Sequence, residues 1–343
     1  MRWSPPAGRG PSLPASVPCT SEEAIGPLLL VGIDGGGSGV RALALDLEQG
    51  TLSSSDYDSP ADFSSIPSAA VLDALERAGQ GALERHSRVA DVAFAGVAGC
   101  VSEEQRAWVE ERLISAGVAR SVAVHHDAYT AWFGATLGRA GVIVMAGTGS
   151  SVFMVDRKGV EMLIGGYGAL FGDEGSGSDL GREFLRAAAA AEGGYGRATR
   201  IRTAALTTLG VSSMRAAMGD KESSEASWLA SLVPPFLELA GDGDSSALVI
   251  LRARLACLAD QIVVALNACD PSAAPPLFGA GSLFGNASYL DELRSAVRER
   301  RRDVTLQPSP CNSLQGALLA AVARGEGSSR GDLSRALELL RAP

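Results

Sequence analysis

The sequence predicts an α/β protein of two related lobes with a cleft between them. Two stretches, 31–46 and 143–156, carry one pattern: an apolar run, a turn of Gly, Ser and Thr residues, and a second apolar run that ends in Asp. Predicted strands followed by predicted helices occur twice along the chain. With 343 residues, the chain is long enough for two domains with substantial cores.

Local patterns define the elements of the first half of the chain. A helix over 66–84 has Ser65 as a plausible N-cap. The run Ser102-Glu103-Glu104-Gln105 is a capping box and predicts a helix to about residue 116. The predicted strands after the first turn lie over 40–47, 52–57, 91–97 and 121–124.

Helices dominate the second half. The apolar stretch 247–269 is interrupted by Arg252, Arg254 and Asp260, so it is predicted to be a buried amphipathic helix. The other predicted elements are a helix over 128–137, the second strand–turn–strand unit, helices from 179, 286, 312 and 332, and strands near 276–278 and 304–306.

Composition narrows the class of protein. A formal net charge of −9 argues against nucleic acid or an anionic membrane surface as a partner. The apolar runs are shorter than a membrane span. Five scattered cysteines without a Cys-x-x-Cys motif are typical of reduced thiols, which predicts a cytoplasmic protein without disulfides or a zinc site.

Three segments are predicted. Residues 1–27 are rich in Pro and Ser and are predicted to be a disordered extension. Residues 28–125 form the predicted N-terminal lobe and residues 126–343 the C-terminal lobe. The last helix could pack on the N-terminal lobe.

The two Gly-rich turns are predicted to bind phosphate. Glycine lets the backbone approach an anion closely, and successive amides form an anion-binding nest. Either turn alone could be an ordinary hairpin turn, but the pair in matching strand contexts favours a polyphosphate. A P-loop is excluded because neither of the two lysines, Lys158 and Lys221, follows such a loop. A Rossmann fingerprint and protein-kinase signatures are also missing.

Three aspartates are candidates for the chemistry that phosphate binding suggests. Asp127 lies between a strand and a helix, where it could accept a hydroxyl proton in phosphoryl transfer or simply N-cap the helix. Asp34, inside the first turn, could hold Mg²⁺ through water or could only form the turn. Asp173, between glycines in 172–176, could bind adjacent sugar hydroxyls or be a solvated acidic turn.

These motifs together resemble a known family. In order they are Asp34-Gly35-Gly36-Gly37-Ser38, Asp127, Gly147-Thr148-Gly149-Ser150, Gly165-Gly166-Tyr167-Gly168, Gly172-Asp173-Glu174-Gly175-Ser176 and Gly279-Ala280-Gly281-Ser282. Their order is similar to that of the BadF/BadG/BcrA/BcrD ATPase family, and within it to the N-acetylglucosamine kinases. The resemblance extends from Leu28 to the helix at 316–320.

The resemblance implies two actin-like, ribonuclease-H-like lobes, each a mixed sheet flanked by helices, with ATP in the cleft between them. It implies Asp127 as the catalytic base, a homodimer, and Mg²⁺ at Asp34. The implied ATP-binding residues are Gly35, Gly36, Gly37, Ser38, Gly147, Thr148, Gly149, Ser150, Gly279, Gly281 and Ser282. The implied sugar-binding residues are Asp62, Asp127, Thr148, Gly166, Tyr167, Asp173 and Glu174.

The chain departs from the family pattern at two of these positions. Tyr167 stands where the family has Trp, and Asp62 stands where relatives carry a sugar-binding Asn. A carboxylate accepts hydrogen bonds but cannot donate them, whereas Asn does both. Glucosamine therefore competes with N-acetylglucosamine as the expected substrate, with phosphorylation at the 6-hydroxyl.

Two other functions remain open at this point. The family also contains ATPase activators of dehydratases and aryl-CoA reductases, which need an iron–sulfur cluster held by positioned thiolates. No evident cluster site is formed by Cys100, Cys257 or Cys269. A non-catalytic sugar-sensing module is disfavoured because Asp127 and both Gly-rich turns are present.

Overall fold

The structure is a computed structural model in which the chain forms two compact units. One unit extends to Arg139 and resumes at Ser309, and the other is Ala140–Pro308. The residues that it describes are 28–37, 39–197, 200–219, 226–270, 274–325 and 328–341. Among them, no helix combines the length and the apolar character that crossing a membrane requires.

The first unit contains a five-stranded mixed sheet. Its strands are β1 (Leu29–Gly36), β2 (Gly39–Asp46), β3 (Thr51–Tyr57), β4 (Ala90–Val97) and β5 (Ala119–His125), in the order β3-β2-β1-β4-β5. β1, β4 and β5 are parallel, whereas β2 and β3 are antiparallel hairpin partners. The unit's helices are α1 (Ser68–Leu83), α2 (Glu103–Ser115), α3 (Asp127–Thr136), α11 (Ser313–Arg324) and α12 (Arg330–Arg341).

Helices cover both faces of this sheet. Leu29, Val31 and Ile33 of β1 alternate along the strand and join the core that α1 and α2 complete. Helices α3 and α11 also pack on β1 and β4, and these two helices contact each other extensively. Polar caps start the helices: Ser102 before α2 and Asn312 before α11 each form a capping box.

The division into units differs from the predicted lobes, which assigned 126–343 to the C-terminal lobe. Both α3 and the segment from Ser309 belong with the first unit. The physical reason is close backbone packing: a side chain at Gly32 of β1 would collide with the backbone of Leu318, and one at Gly316 would collide with the carbonyl of Thr130. The predicted disordered extension, 1–27, lies outside the described residues.

The second unit repeats the topology of the first. Its strands are β6 (Gly141–Ala146), β7 (Ser150–Val155), β8 (Glu161–Gly165), β9 (Leu277–Ala280) and β10 (Leu306–Pro308), in the order β10-β9-β6-β7-β8. The first strand is again central, with an antiparallel pair on one side and a parallel pair on the other. The predicted fold class of two mixed sheets flanked by helices is therefore confirmed.

The helices of the second unit are α4 (Gly168–Phe171), α5 (Gly177–Glu192), α6 (Ile201–Leu209), α7 (Ala226–Ser231), α8 (Val233–Gly241), α9 (Ser245–Cys269) and α10 (Ala287–Arg300). The longest, α9, is N-capped by Asp244, whose carboxylate accepts from two backbone amides of the first turn. Its buried leucines pack against the sheet and α10, so the predicted amphipathic helix is confirmed.

Most predicted elements match the structure within a few residues, but one predicted cap is wrong. The first helix begins at Ser68, and its N-cap position is Pro67, not Ser65. Proline disfavours the helical conformation of the residue before it, so the helix cannot extend back through Ile66.

Replacement of Gly316 tests the close packing of α11 within the first unit. A Cβ at this position would meet the carbonyl of Thr130 and the amide of Gly134. We expect Gly316→Ala to lower the free energy of unfolding by about 1–3 kcal/mol, measured by urea denaturation. Gly331→Ala, in the exposed α12, is the control and is expected to be neutral or slightly stabilising. Equal effects of the two substitutions would contradict the packing argument.

Candidate functional site

Four carboxylates line a cleft of about 500 Å³ in the first unit. These carboxylates belong to Asp34, Asp56, Asp58 and Asp127, and Arg41 is the basic side chain among the described residues of the lining. The cleft lies where β1 and β5 end and α3 begins. Ligands of α/β proteins bind at the carboxyl ends of parallel strands, so this position is that of a functional site.

Asp127 is the first residue of α3. His126 occupies the N-cap position, so the structure does not show the N-capping role that the sequence left open. The Asp127 carboxylate accepts a hydrogen bond from the backbone amide of Ala128 at 2.9 Å. Burial, followed by the charges of Asp34 and Asp62, raises its pKa to about 6. A carboxylate with this pKa is mostly ionised at neutral pH and is a stronger base than an ordinary Asp.

Asp34 and Arg41 form an ion pair across the β1–β2 hairpin. The two residues are directly opposed in the strand register, and the guanidinium lies 2.6 Å from the carboxylate. Arg41 is half exposed, whereas Asp34 is largely buried. Burial raises the pKa of Asp34, and the bond to Arg41 opposes that shift.

The first Gly-rich turn is the end of the β1–β2 hairpin. Gly36 is paired with Gly39 across the turn, and side chains at Gly36 or Gly37 would meet no atom within 4 Å. Gly35 differs, because it is buried against Leu75 and Ala61. Ser38, predicted to bind ATP, lies outside the described residues. Open space beside two glycines is what close approach of an anion to the backbone requires.

Asp62 follows the hairpin and forms a single β-bridge with Ala98. One oxygen of its carboxylate accepts hydrogen bonds from the backbone amide of Ser64 at 2.8 Å and from the Ser64 hydroxyl at 2.7 Å. Its charge contributes to the raised pKa of Asp127. The first unit therefore brings Asp34, Asp62 and Asp127 into electrostatic contact.

The second Gly-rich turn connects β6 and β7 and is bonded to the start of α5. The amides of Gly177 and Ser178 donate to the carbonyls of Gly147 and Thr148 at 2.8 and 3.0 Å. The Ser150 hydroxyl donates to the carbonyl of Glu174 at 2.9 Å. The second turn and the loop 172–176 are thus one connected structure.

Asp173 lies at the centre of this structure. It is a non-glycine residue with a φ of 61°, in the left-handed region. It is buried, and its carboxylate accepts from the backbone amides of Ser150 and Gly168. Burial nevertheless raises its pKa. A side chain at Gly149 would approach this carboxylate to 2.8 Å, so only glycine fits beside it without rearrangement.

The loop that precedes Asp173 contains three glycines in the left-handed region, with φ values of 73°, 70° and 77° at Gly165, Gly166 and Gly168. Tyr167, between them, is 72% exposed. Glu174 is held differently, because Gln261 of α9 donates to its carboxylate at 2.7 Å.

The predicted adenosine segment lies against the second turn. A side chain at Gly281, where φ is 111°, would collide with the carbonyl of Ala146, and one at Gly147 would come within 3.6 Å of the Ser282 hydroxyl. Gly281 and Ser282 are exposed. Gly279 is buried against Phe284. The second unit therefore groups Thr148, Asp173 and Ser282 around one set of loops.

Sequence reasoning missed several residues that shape these two sites. Arg41 was visible only as a charge in an alternating strand, and the contribution of Asp56 and Asp58 depends on how β3 pairs with β2. In the second unit, Asp179, Arg254 and Tyr289 bond to each other or to Gly175 from three helices. Only Asp179, beside the Gly-Ser motif, offered a local signal.

Comparison with known proteins is consistent with this fold and these motifs. Residues 31–323 match the model of the BadF/BadG/BcrA/BcrD ATPase family. A candidate N-acetylglucosamine kinase from Chromobacterium violaceum has a solved structure with a TM-score of 0.65 and 27% identity, covering 85% of this chain and 98% of that one. Two related mixed sheets flanked by helices define the α/β fold class of the chain. The chain belongs to the BadF/BadG/BcrA/BcrD ATPase family.

Two curated relatives have names that specify an activity. An N-acetyl-D-glucosamine kinase from Dictyostelium discoideum is 26% identical over 325 residues, 86% of this chain and 98% of the relative. An N-acetylmuramic acid/N-acetylglucosamine kinase from Clostridium acetobutylicum is 32% identical over 162 residues. That match spans 46% of this chain and 53% of the relative, about half the length of each.

The raised pKa of Asp127 leads to a prediction about stability. Because its pKa of about 6 lies above the ordinary 3.8, the folded protein binds the proton more tightly than the unfolded chain. The ionised carboxylate therefore destabilises the fold above about pH 6, and the penalty disappears below about pH 4. We expect Asp127→Asn to raise the free energy of unfolding by about 1–3 kcal/mol near pH 7.5 and to change little near pH 4.

Urea denaturation at the two pH values measures this difference. Asp73→Asn, which removes an exposed carboxylate of α1, is the control and should show no such pH dependence. The same gain at both pH values would contradict the assigned electrostatic cause.

Proposed function

We propose that the protein is an ATP-dependent amino-sugar kinase that transfers the γ-phosphoryl group of ATP to the 6-hydroxyl of N-acetylglucosamine or glucosamine. The observation that carries this proposal is the half-buried carboxylate of Asp127, with a pKa of about 6, in a cleft at the ends of parallel strands. The kinase names of the relatives support the class of reaction.

Asp127 serves as the base in the proposed reaction. Phosphoryl transfer needs an aligned acceptor hydroxyl, neutralised phosphate charge and one group that accepts the hydroxyl proton. The 6-hydroxyl oxygen bonds to the γ-phosphorus, the bond to the ADP leaving group breaks, and the hydroxyl proton moves to Asp127. Because proton transfer occurs late, Asp127 first orients the hydroxyl through a hydrogen bond.

The other predicted residues receive matching roles. Gly36 and Gly37 offer an open backbone for phosphate oxygens, as does the exposed turn at Thr148. Asp173 and Glu174 bind ring hydroxyls of the sugar, beside the exposed Tyr167 and Gly166. Gly281 and Ser282 border the adenosine. That one triphosphate contacts both Gly-rich turns stays a prediction, as do the homodimer and the cytoplasmic location.

The acidic cleft fits a role for Mg²⁺. Carboxylate oxygens are the ligands that Mg²⁺ prefers, and the ion commonly keeps several of its waters. Arg41 bonds to one oxygen of Asp34, which leaves the other oxygen to hold the ion through water. When bound, Mg²⁺ would supply positive charge that neutralises phosphate oxygens.

The two alternative functions fit less well. Cys257 and Cys269 lie twelve residues apart on α9 (269 − 257), about 18 Å along the helix axis, so they cannot share one iron–sulfur cluster. A sugar-sensing module does not require a strong base, yet Asp127 keeps a raised pKa that destabilises the fold. Release of ADP with amino sugars, and none without them, would separate the kinase from both alternatives.

Replacement of Asp127 tests the proposed base. We expect Asp127→Ala to lower kcat by about 10²–10⁴-fold, with the Kd for Mg·ADP unchanged. Wild-type kcat/KM should fall about tenfold per unit as pH drops below about 6, because only the ionised carboxylate accepts the proton. Asp73→Ala serves as the control with wild-type kinetics. Wild-type turnover by Asp127→Ala would refute the role.

Replacement of Asp62 tests the choice between the two amino sugars. In Asp62→Asn the amide oxygen can keep the bonds from Ser64. The amide nitrogen, which donates, takes the place of the other carboxylate oxygen, which can only accept. We expect the ratio of kcat/KM for N-acetylglucosamine over glucosamine to rise about tenfold.

Asp56→Asn is the matched control, because it removes a negative charge from the neighbouring cleft without changing this contact. An equal shift in both variants would mean that the net charge, and not a hydrogen bond at Asp62, sets the preference. No shift in either variant would remove Asp62 from the specificity site.

A further inference from the structure

The peptide groups of Gly175 are held from two sides. The buried carboxylate of Asp179 accepts from the Gly175 amide at 2.8 Å. The hydroxyl of Tyr289, a fully buried residue of α10, donates to the Gly175 carbonyl at 2.9 Å. Gly175 itself has a φ of 75° and packs against Leu255 and Leu258 of α9. The backbone two residues after Asp173 is therefore fixed by side chains from α5 and α10.

Asp179 forms an ion pair with Arg254. The Nε atom of Arg254, on α9, lies 2.7 Å from the same carboxylate oxygen that accepts from Gly175. The Asp179 side chain is 5% exposed and that of Arg254 is 29% exposed. A buried carboxylate without a cation is strongly unfavourable, so the ion pair with Arg254 offsets part of the cost of burying Asp179 and holds its side chain in place.

This arrangement explains how Asp173 keeps an unfavourable backbone conformation. A non-glycine residue in the left-handed region costs about 1–3 kcal/mol and persists where surrounding contacts determine it. The carbonyl of Asp173 accepts from Ser176, whose hydroxyl in turn accepts from the amide of Asp179. Asp179 thus contacts Gly175 through its carboxylate and Ser176 through its amide, and both residues follow Asp173 in the loop.

We propose that Asp179 and Arg254 are positioning residues that hold the loop 172–176 so that Asp173 presents its carboxylate to the sugar. This inference rests on the proposed function, because it concerns the sugar-binding role of Asp173. Neither residue contacts the substrate in this proposal. Their action is transmitted through the Gly175 amide, and Tyr289 supports it from the carbonyl side.

Arg254→Met is the first test. It should raise the KM for the amino sugar about tenfold or more, with the Kd for Mg·ADP changed less than twofold. Arg254→Lys keeps a cation on α9 and should restore part of the wild-type KM. Arg252→Met is the matched control: Arg252 lies on the same helix and pairs with Glu292 of α10, but on an exposed face. It should leave both constants unchanged.

A double variant separates positioning from stability. Arg254→Met leaves the Asp179 charge buried and unpaired, so a loss of stability alone could raise the KM. Asp179→Leu combined with Arg254→Met removes both charges, which is expected to recover part of the stability that Arg254→Met alone loses. Because the Gly175 amide still lacks its acceptor, the sugar KM should stay raised. Hydrogen–deuterium exchange of that amide should be faster in both variants.

The outcomes distinguish this inference from the proposed function. A wild-type sugar KM in the double variant, or an equal loss of nucleotide and sugar affinity in Arg254→Met, would overturn the positioning role while the kinase activity stands. A wild-type protein that transfers phosphate to no amino sugar would contradict the proposed function, and the positioning role would fall with it. Raised sugar KM with unchanged nucleotide affinity supports both.

Discussion

Backbone hydrogen bonds between the second Gly-rich turn and the start of α5 hold the functional loops of the second unit together. Gly177 and Ser178 donate to the turn, and Ser150 donates to the loop that carries Asp173. Because the bonds at Thr148 use its main-chain carbonyl, its exposed side chain remains available for a ligand, while the buried Asp173 carboxylate is held by the amides of Ser150 and Gly168. The same bonds make both segments respond together when either one moves.

The first unit depends on a different constraint, the crowding of carboxylates. Burial raises the pKa of Asp127 and of Asp34, the charges of Asp34 and Asp62 raise that of Asp127 further, and Arg41 compensates part of the charge of Asp34. Burial that destabilises an ionised Asp127 also makes it a better proton acceptor. Stability and reactivity are therefore opposed at this position, as is common where pKa values are shifted for function.

Much of the fold could be predicted because local patterns and packing agree. The capping box at Ser102, the alternation in β2 and the apolar face of α9 each specify one element without long-range information. The assignment of α3 and α11 to the first unit was not predicted, because it depends on glycine contacts such as that of Gly316 with Thr130, far apart in sequence.

The residues of the candidate site likewise fall into those that sequence motifs reveal and those that only tertiary contacts reveal. Asp34, Asp127 and Asp173 were found because they lie in or beside Gly-rich motifs or at a strand end. Arg254 and Tyr289 carry no motif; they matter because α9 and α10 bring them to Gly175. Residues that act through other residues are defined by tertiary contacts, so a single sequence does not reveal them.

The return of the chain to its first unit has a consequence for biosynthesis. The second unit is one continuous segment, so it can fold as soon as it has left the ribosome. The sheet of the first unit, although made earlier, lacks the helix that covers Gly32 until residues beyond Ser309 emerge. During that interval the part of the sheet that α11 later covers stays open to water, which exposes the partly folded chain to aggregation.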